Sequence, residues 1–116
     1  MVLTQSVDKC LWLFTPEEWS RISTNLMDST SLFQSRARML RRRIISPAQS
    51  VEVDKAGRIN ISASLREYAG LKKECIIIGI ESYVELWDET EYRDYWDENE
   101  PSFQEAAEEL GKIISI

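Results

Sequence analysis

The 116-residue sequence contains no histidine. Histidine is the usual general base near neutral pH and a very common metal ligand, so its absence excludes Ser–His and Cys–His hydrolases and disfavours a zinc site. Glycine is also scarce, with four residues and no glycine-rich phosphate-binding loop. We therefore expect no enzyme activity, no catalytic residues, no metal and no cofactor.

Cysteine and long apolar runs are equally scarce. The two cysteines, Cys10 and Cys75, make no disulfide framework, and both lie in apolar stretches typical of buried strands. No apolar run approaches the roughly 20 residues that span a bilayer, and the N-terminus has no signal-peptide pattern. These features predict a cytoplasmic protein without membrane contact or a small-molecule substrate.

Charge is unevenly distributed along the chain. The net charge is −6, but residues 36–73 hold ten Lys or Arg against three Asp or Glu, a local net charge of +7. Residues 74–116 hold thirteen acidic residues against two basic ones, a local net charge of −11. A chain divided in this way can present a basic surface to phosphates despite its low isoelectric point.

Short apolar stretches between turn residues predict a mixed α+β fold. The predicted strands cover residues 2–7, 10–14, 50–54, 59–61, 75–80 and 83–87. The predicted helices begin at Thr15–Pro16, near 32, at Ser62 or Ser64, at Asp88 and at Pro101. The last of them is acidic and amphipathic, and Asp88 is expected to open a separate helix that ends near Trp96.

Two hairpin-plus-helix units match when the first is shifted by 73 residues along the chain, which places Thr15 on Asp88 and Trp19 on Tyr92. The coincidence of strands, cap and helix aromatic predicts an internal repeat. The second unit has an upstream part, about residues 50–73, whose counterpart would fall before Met1. The first repeat is therefore expected to be incomplete.

Four segments carry a family resemblance: VLTQSVDKCLWLFTPEEW, SRARMLRRRIIS, VEVDKAGRINISASLREYAGL and IIIGIESYVELWDETEY. All four lie within residues 2–96, and the chain resembles the MraZ family of AbrB-like bacterial transcription regulators. The resemblance implies a swapped-hairpin fold of two pseudo-symmetric repeats, assembled into a ring-like homo-oligomer. It divides the chain into the remainder of the first repeat with two helices (1–46), the second repeat (47–96) and a C-terminal helix (97–116).

The resemblance also implies function. The family binds short repeated boxes in the double-stranded promoter DNA of the division and cell wall gene cluster, usually as a repressor, which implies a nucleoid location. Its DNA-contact signature, DxxxR, corresponds here to Asp54–Arg58. A hairpin tip of this kind can enter the major groove, with Arg58 and Lys55 as the DNA-binding residues and Asp54 and Gly57 orienting the turn.

Other features leave alternatives open. Arg42 and Arg43 are candidate supporting phosphate contacts, or they belong to a solvated helix face or to salt bridges between subunits. An AbrB-like antitoxin, which would bind its toxin through a flexible C-terminal tail, is one alternative function. An oligomeric protein-interaction module without DNA binding is the other.

Overall fold

The computed structural model of the chain describes residues 1–114. Within that range the fold is a five-stranded antiparallel sheet with helices, so the predicted α+β class is confirmed. The strands are β1 (Val2–Gln5), β2 (Leu11–Phe14), β3 (Gln49–Ser50), β4 (Cys75–Ile80) and β5 (Tyr83–Asp88), in the sheet order β3-β1-β2-β5-β4. The helices are α1 (Pro16–Asp28), α2 (Ser35–Leu40) with a π-helical turn over Arg41–Ile45, α3 (Ala63–Ala69) and α4 (Glu89–Ile114). No helix among these residues is long and apolar enough to cross a membrane.

Three helices begin at the predicted caps. The Thr15 hydroxyl accepts a hydrogen bond from the Glu18 backbone N–H at 3.2 Å at the start of α1, and the Ser62 hydroxyl caps α3. The Asp88 carboxylate accepts from the Glu91 N–H at 3.3 Å at the start of α4. Each cap satisfies a backbone donor that has no partner inside its helix.

The core lies between the sheet and α3. Its buried members come from β1, β2, β5, α3 and the segment after β3, and are Leu3, Leu11, Val51, Leu65, Ala69 and Leu86. Burial of one such leucine side chain contributes about 1.5–3 kcal/mol. Gly70 ends α3 with φ of +64°, a left-handed conformation that favours glycine.

The predicted hairpin strands at 50–54 and 59–61 are corrected by the structure. Only Gln49–Ser50 forms a strand, and Val51 adds backbone hydrogen bonds to Met1. A strand requires a hydrogen-bonded neighbour, and beyond Val51 the pairing with the N-terminal strand stops. Residues 59–61 are not a strand either, although Ile59 and Ile61 pack against the core.

The interpretation of β4 as a buried strand is wrong for this chain. The strand forms where predicted, but it is the edge of the sheet, and Ile77 on it is 70% exposed. Cys75 is exposed for the same reason, whereas Cys10 is buried as expected.

The expected helix boundary at Pro101 is also wrong. One helix runs from Glu89 to Ile114 with Pro101 inside it. Proline has no N–H to donate to the carbonyl of Asp97. The Trp96 and Phe103 side chains, before and after Pro101 in the sequence, are in contact with ring centroids 5.7 Å apart. The predicted C-terminal unit, 97–116, extends two residues beyond the described part of the chain.

The second predicted helix, roughly 32–45, begins later, at Ser35, and changes to π-helical geometry at Arg41. The Ser46 N–H donates to the Arg41 carbonyl at 3.0 Å, five residues back. Pro47 supplies no N–H to the carbonyls of this turn, and the buried Thr4 hydroxyl donates to the Ile44 carbonyl at 2.5 Å. The wider turn thus lies between a proline and a hydrogen bond to β1.

Candidate nucleic-acid interface

A tight turn spans Asp54 to Arg58. The Asp54 N–H donates to the Arg58 carbonyl at 2.9 Å, and the Gly57 N–H donates to the Asp54 carbonyl at 3.0 Å. Gly57 has φ of +78°. This is the geometry of a three-residue hairpin loop whose last residue is left-handed, so the predicted turn is present although its flanks are not regular strands.

The Asp54 side chain holds this turn together. Its Oδ1 atom accepts from the Ala56 N–H at 2.9 Å and from the Arg58 N–H at 2.8 Å. Its Oδ2 atom lies 3.5 Å from Arg58 Nε. The carboxylate thus bonds to the backbone of the loop and lies beside the Arg58 side chain, and its role in orienting Arg58 toward DNA stays a prediction.

The basic side chains of the turn are free to reach a partner. Lys55 is exposed, and the Arg58 side chain is 79% exposed. An exposed ion pair such as Arg58–Asp54 contributes only about 0–1 kcal/mol, so Arg58 can leave Asp54 for a stronger acceptor at small cost. The turn can therefore offer a guanidinium and an ammonium group to an anionic surface.

The core anchors the base of this turn. Val51 precedes it and is buried, and Ile59 and Ile61 follow it and pack against the core. Residues 52–58 between them are all exposed. The loop therefore projects from a rigid base, as a groove-reading loop requires.

The three consecutive arginines at 41–43 have different surroundings. Arg41 folds back on the end of α1, where its guanidinium donates to the carbonyls of Met27 and Thr30 at 3.1 and 2.7 Å. Arg43 donates to the Tyr68 hydroxyl at 2.9 Å, and its guanidinium carbon lies 5.1 Å from the Tyr68 ring centroid. Arg42 is exposed and borders a groove of about 640 Å³ next to α2. None of the hydrogen bonds joins these arginines to the Asp54–Arg58 turn.

Sequence reasoning missed the position of Tyr68 and the groove beside it. The Tyr68 hydroxyl joins α3 to the β1–β2 turn by donating to the Ser6 carbonyl at 2.6 Å. The spacing of the arginines on α2 was the available signal for a basic surface. The apolar floor of the groove comes from residues distant in sequence, so no single segment of the sequence predicts it.

No catalytic or metal-binding arrangement is found among residues 1–114. They contain no cluster of three Cys, Asp or Glu residues suited to a metal ion. Burial raises the pKa of the Cys10 thiol to about 12, which keeps it protonated and unreactive. The buried Asp88 carboxylate is committed to capping, since it accepts from the Lys72 and Glu91 backbone N–H groups.

Comparison with known proteins gives the family. The model of a family described as "MraZ protein, putative antitoxin-like" matches residues 44–113. The chain is 51% identical over 113 residues to a protein of Treponema denticola named Transcriptional regulator MraZ, a match that covers 97% of this chain and 78% of that relative. This chain belongs to the MraZ family.

Proteins of the same name from two strains of Treponema pallidum are each 44% identical to this chain over 110 residues, covering 95% of it and 74% of each relative. The matched segment of the family model includes the whole Asp54–Arg58 turn. All three relatives are named as regulators and none as an enzyme, in agreement with the expectation from the sequence.

Proposed function

We propose that this chain is a sequence-specific DNA-binding transcriptional regulator, and that the Asp54–Arg58 turn reads the DNA. The observation that carries the proposal is the exposed, carboxylate-organised turn. Two lines support the assignment: the names of the relatives, and the projection of two basic side chains from a rigid base.

In this mechanism the loop enters the major groove. Arg58 donates two parallel hydrogen bonds to the O6 and N7 atoms of a guanine, a contact that discriminates bases by about 1–3 kcal/mol. Lys55 pairs with a phosphate and sets the position of the loop without reading sequence. Asp54 stays on the protein side, where its bonds to the loop keep the tip in one conformation before DNA arrives.

The proposed target is short repeated boxes in the promoter of the division and cell wall gene cluster, and the proposed effect is repression. Such a regulator acts on chromosomal DNA, at the nucleoid in the cytoplasm. One loop makes few contacts, so specific binding would come from several copies of the chain in a ring-like homo-oligomer. Several loops then bind adjacent boxes with a combined affinity well above that of one.

We propose further that the sheet combines two related units. Trp12 lies opposite Glu85 in the β2–β5 pair, 73 residues away, and its indole N–H donates to the Glu85 carboxylate. On either side, Leu11 faces Leu86 and Leu13 faces Val84. At an offset of 73, Leu86 is the counterpart of Leu13 and Val84 is the counterpart of Leu11. Leu11 and Leu13 therefore each face the counterpart of the other, as expected around a two-fold axis between Trp12 and Glu85.

The hairpin turns fit the same scheme with one difference. In the first hairpin the Ser6 N–H donates to the Cys10 carbonyl across a three-residue turn. In the second, Ile80 pairs with Tyr83 across a two-residue turn, where Glu81 has φ of +50°. Once this difference of one residue between the turns is allowed for, the strand pairs of the first hairpin align with those of the second.

Arg58→Ala tests the DNA contact. Fluorescence anisotropy with fragments from the promoter of the source organism's division and cell wall cluster should show a loss of about 1–3 kcal/mol in specific binding. Scrambled DNA of the same length should show a smaller change. Arg58→Lys should restore the phosphate attraction but not the base discrimination, because lysine lacks the planar fork.

Arg93→Ala is the matched control. Arg93 is an exposed arginine paired with Glu89, four residues before it, as Arg58 is paired with Asp54. The control should leave DNA binding unchanged. Unaltered sequence-specific binding by Arg58→Ala would refute the role of Arg58.

The antitoxin alternative requires a flexible C-terminal tail. The description of the matching family as "putative antitoxin-like" favours this alternative, whereas the continuous helix α4 up to Ile114 weighs against it. The roles of Arg42 and Arg43 as supporting phosphate contacts stay predictions, and the proposed mechanism does not require them.

A further inference from the structure

A shallow groove with an apolar floor and basic rims lies beside α2. Val7, Met39 and Leu40 form its apolar surface and are exposed, with Met39 at 63%. Arg36 and Arg42 border it and are exposed too. Residues 35–45, which supply most of this surface, contain five arginines and no acidic residue. We call this surface the basic groove.

The second half of α4 has the opposite character. Its apolar side chains recur at helical spacing along one face, and the stripe consists of Trp96, Phe103, Ala106, Leu110 and Ile113. These side chains are exposed, with Phe103 at 51% and Ile113 at 76%. Residues 97–114 hold six acidic residues and one lysine, a net charge of −5. We call this segment the acidic helix.

The stripe is continuous with the folded core. Trp87 on β5 contacts Tyr92 with ring centroids 5.4 Å apart, Tyr92 contacts Trp96 at 6.3 Å, and Trp96 contacts Phe103 at 5.7 Å. This chain of aromatic contacts connects the acidic helix to the sheet. An amphipathic helix with its apolar face in solvent is typical of a partner-binding element.

From these two surfaces we propose that the acidic helix of one copy binds in the basic groove of a second copy. The charges are complementary, because Arg36, Arg42 and Arg43 border the groove and residues 97–114 carry a net charge of −5. Apolar side chains form the centre of both surfaces and charged side chains form their edges, which is the arrangement of a specific interface. The contact is head-to-tail, and such contacts generate rings when the rotation between subunits closes.

Electrostatics disfavours the alternative pairing of two acidic helices. Glu100 and Glu109 lie beside the stripe, at the positions that would face a second helix packed against it. Two copies of α4 side by side would therefore oppose like charges, which disfavours that pairing. The basic groove offers Arg36 and Arg42 at its edges instead. The proposal specifies the contact within the homo-oligomer proposed above, and it does not depend on DNA contact by Arg58.

A charge exchange between two variants tests the contact. The groove variant carries Arg36→Glu and Arg42→Glu, and the helix variant carries Glu100→Lys and Glu109→Lys. Each variant alone opposes like charges at the contact, so its self-association constant should fall more than about tenfold. In an equimolar mixture each acidic surface again meets a basic one, and the molar mass measured by light scattering after gel filtration should return toward that of the wild type.

Controls separate this contact from folding and from DNA binding. Lys72→Glu/Lys73→Glu makes the same charge change on the exposed segment after α3 and should leave the molar mass unchanged. Recovery in the mixture shows that both variants are folded, and circular dichroism checks each one alone. Arg58→Ala should keep the wild-type mass while losing specific DNA binding, so the failure of one proposal is distinguishable from the failure of the other.

Three results would overturn the proposed contact. The first is a wild-type chain that is monomeric at micromolar concentration. The second is a pair of folded variants that each retain the wild-type mass, or whose mixture shows no recovery. The third is a groove variant that loses DNA affinity at unchanged mass, which would assign the groove to DNA phosphates.

Discussion

Removal of the Tyr68 hydroxyl should destabilise the fold by about 1–2 kcal/mol. This hydroxyl donates to the Ser6 carbonyl at 2.6 Å, lies 3.0 Å from the Asp8 carbonyl and accepts from Arg43 Nε at 2.9 Å. It joins three segments that are distant in sequence. In Tyr68→Phe the ring remains, so the change removes the hydrogen bonds and little of the packing.

The expected loss of stability depends on whether each hydrogen-bond partner of the Tyr68 hydroxyl can find another partner in Tyr68→Phe. Ser6 is fully buried, so its carbonyl loses this donor in a place that water does not readily reach, which costs about 1–3 kcal/mol. The Asp8 carbonyl still accepts from the Cys10 N–H at 2.8 Å, and the exposed Arg43 can bond to water. Those two partners contribute little, and the lower part of the range is expected.

Urea denaturation measures the effect, with Tyr92→Phe as the matched control. The Tyr92 ring packs against Trp87, and its hydroxyl has no hydrogen-bond partner among residues 1–114. The control should change the free energy of unfolding by less than about 0.5 kcal/mol. Tyr68→Phe should also lower the melting temperature by roughly 3–6 °C for each kcal/mol lost. Equal effects of the two substitutions would refute the role of the Tyr68 hydroxyl as a structural link.

Three further outcomes are expected. Gly57→Ala should weaken specific DNA binding in a fluorescence titration, because alanine at φ of +78° is strained by about 1–2 kcal/mol. A new Cβ there meets no atom within 4 Å, so backbone strain is the whole of the expected effect. Unchanged affinity would contradict the need for a left-handed residue. Iodoacetamide should label the exposed Cys75 in the folded protein and Cys10 only after unfolding, as read by mass spectrometry, since burial raises the pKa of Cys10 to about 12. Asp8→Asn should stabilise the fold near pH 7. Burial, and to a smaller extent the charge of Glu85, raises the pKa of Asp8 above its ordinary value of 3.8. The charged form is therefore disfavoured in the folded state, and the substitution removes that charge. That gain should disappear as pH falls below 3.8, where Asp8 is protonated folded or unfolded, and a gain that persists there in urea titrations would contradict this origin.

Helix starts were predictable because a cap is a local feature. Thr15, Ser62 and Asp88 each bond to a backbone N–H three residues later. All the atoms involved lie within one turn, so the pattern in the sequence contains the whole interaction. The Asp54–Arg58 turn was predictable for the same reason, since the hydrogen bonds of Asp54 and the positive φ of Gly57 lie within the turn itself.

Strand burial was not predictable, because it depends on which strands are neighbours. The apolar run from Cys75 to Ile80 is the pattern of a buried strand, yet the sheet order places β4 at an edge. The strands expected near 50–54 and 59–61 have the correct alternation, and most of their residues have no ladder partner in residues 1–114. The predicted helix boundary at Pro101 was wrong because proline was taken to begin a new helix. The aromatic contact between Trp96 and Phe103, seven residues apart, was not predicted.

The segregation of charge connects the two proposals. A chain with a net charge of −6 should be repelled by DNA, and the acidic helix alone contributes −5. If that helix binds the basic groove of a neighbouring copy, its acidic side chains lie beside Arg36, Arg42 and Arg43. The Asp54–Arg58 turn then remains as an exposed site with two basic side chains on the assembled surface. Self-association would in this way multiply the DNA-reading turns and pair the acidic helix with basic side chains, although the net charge of each copy stays −6.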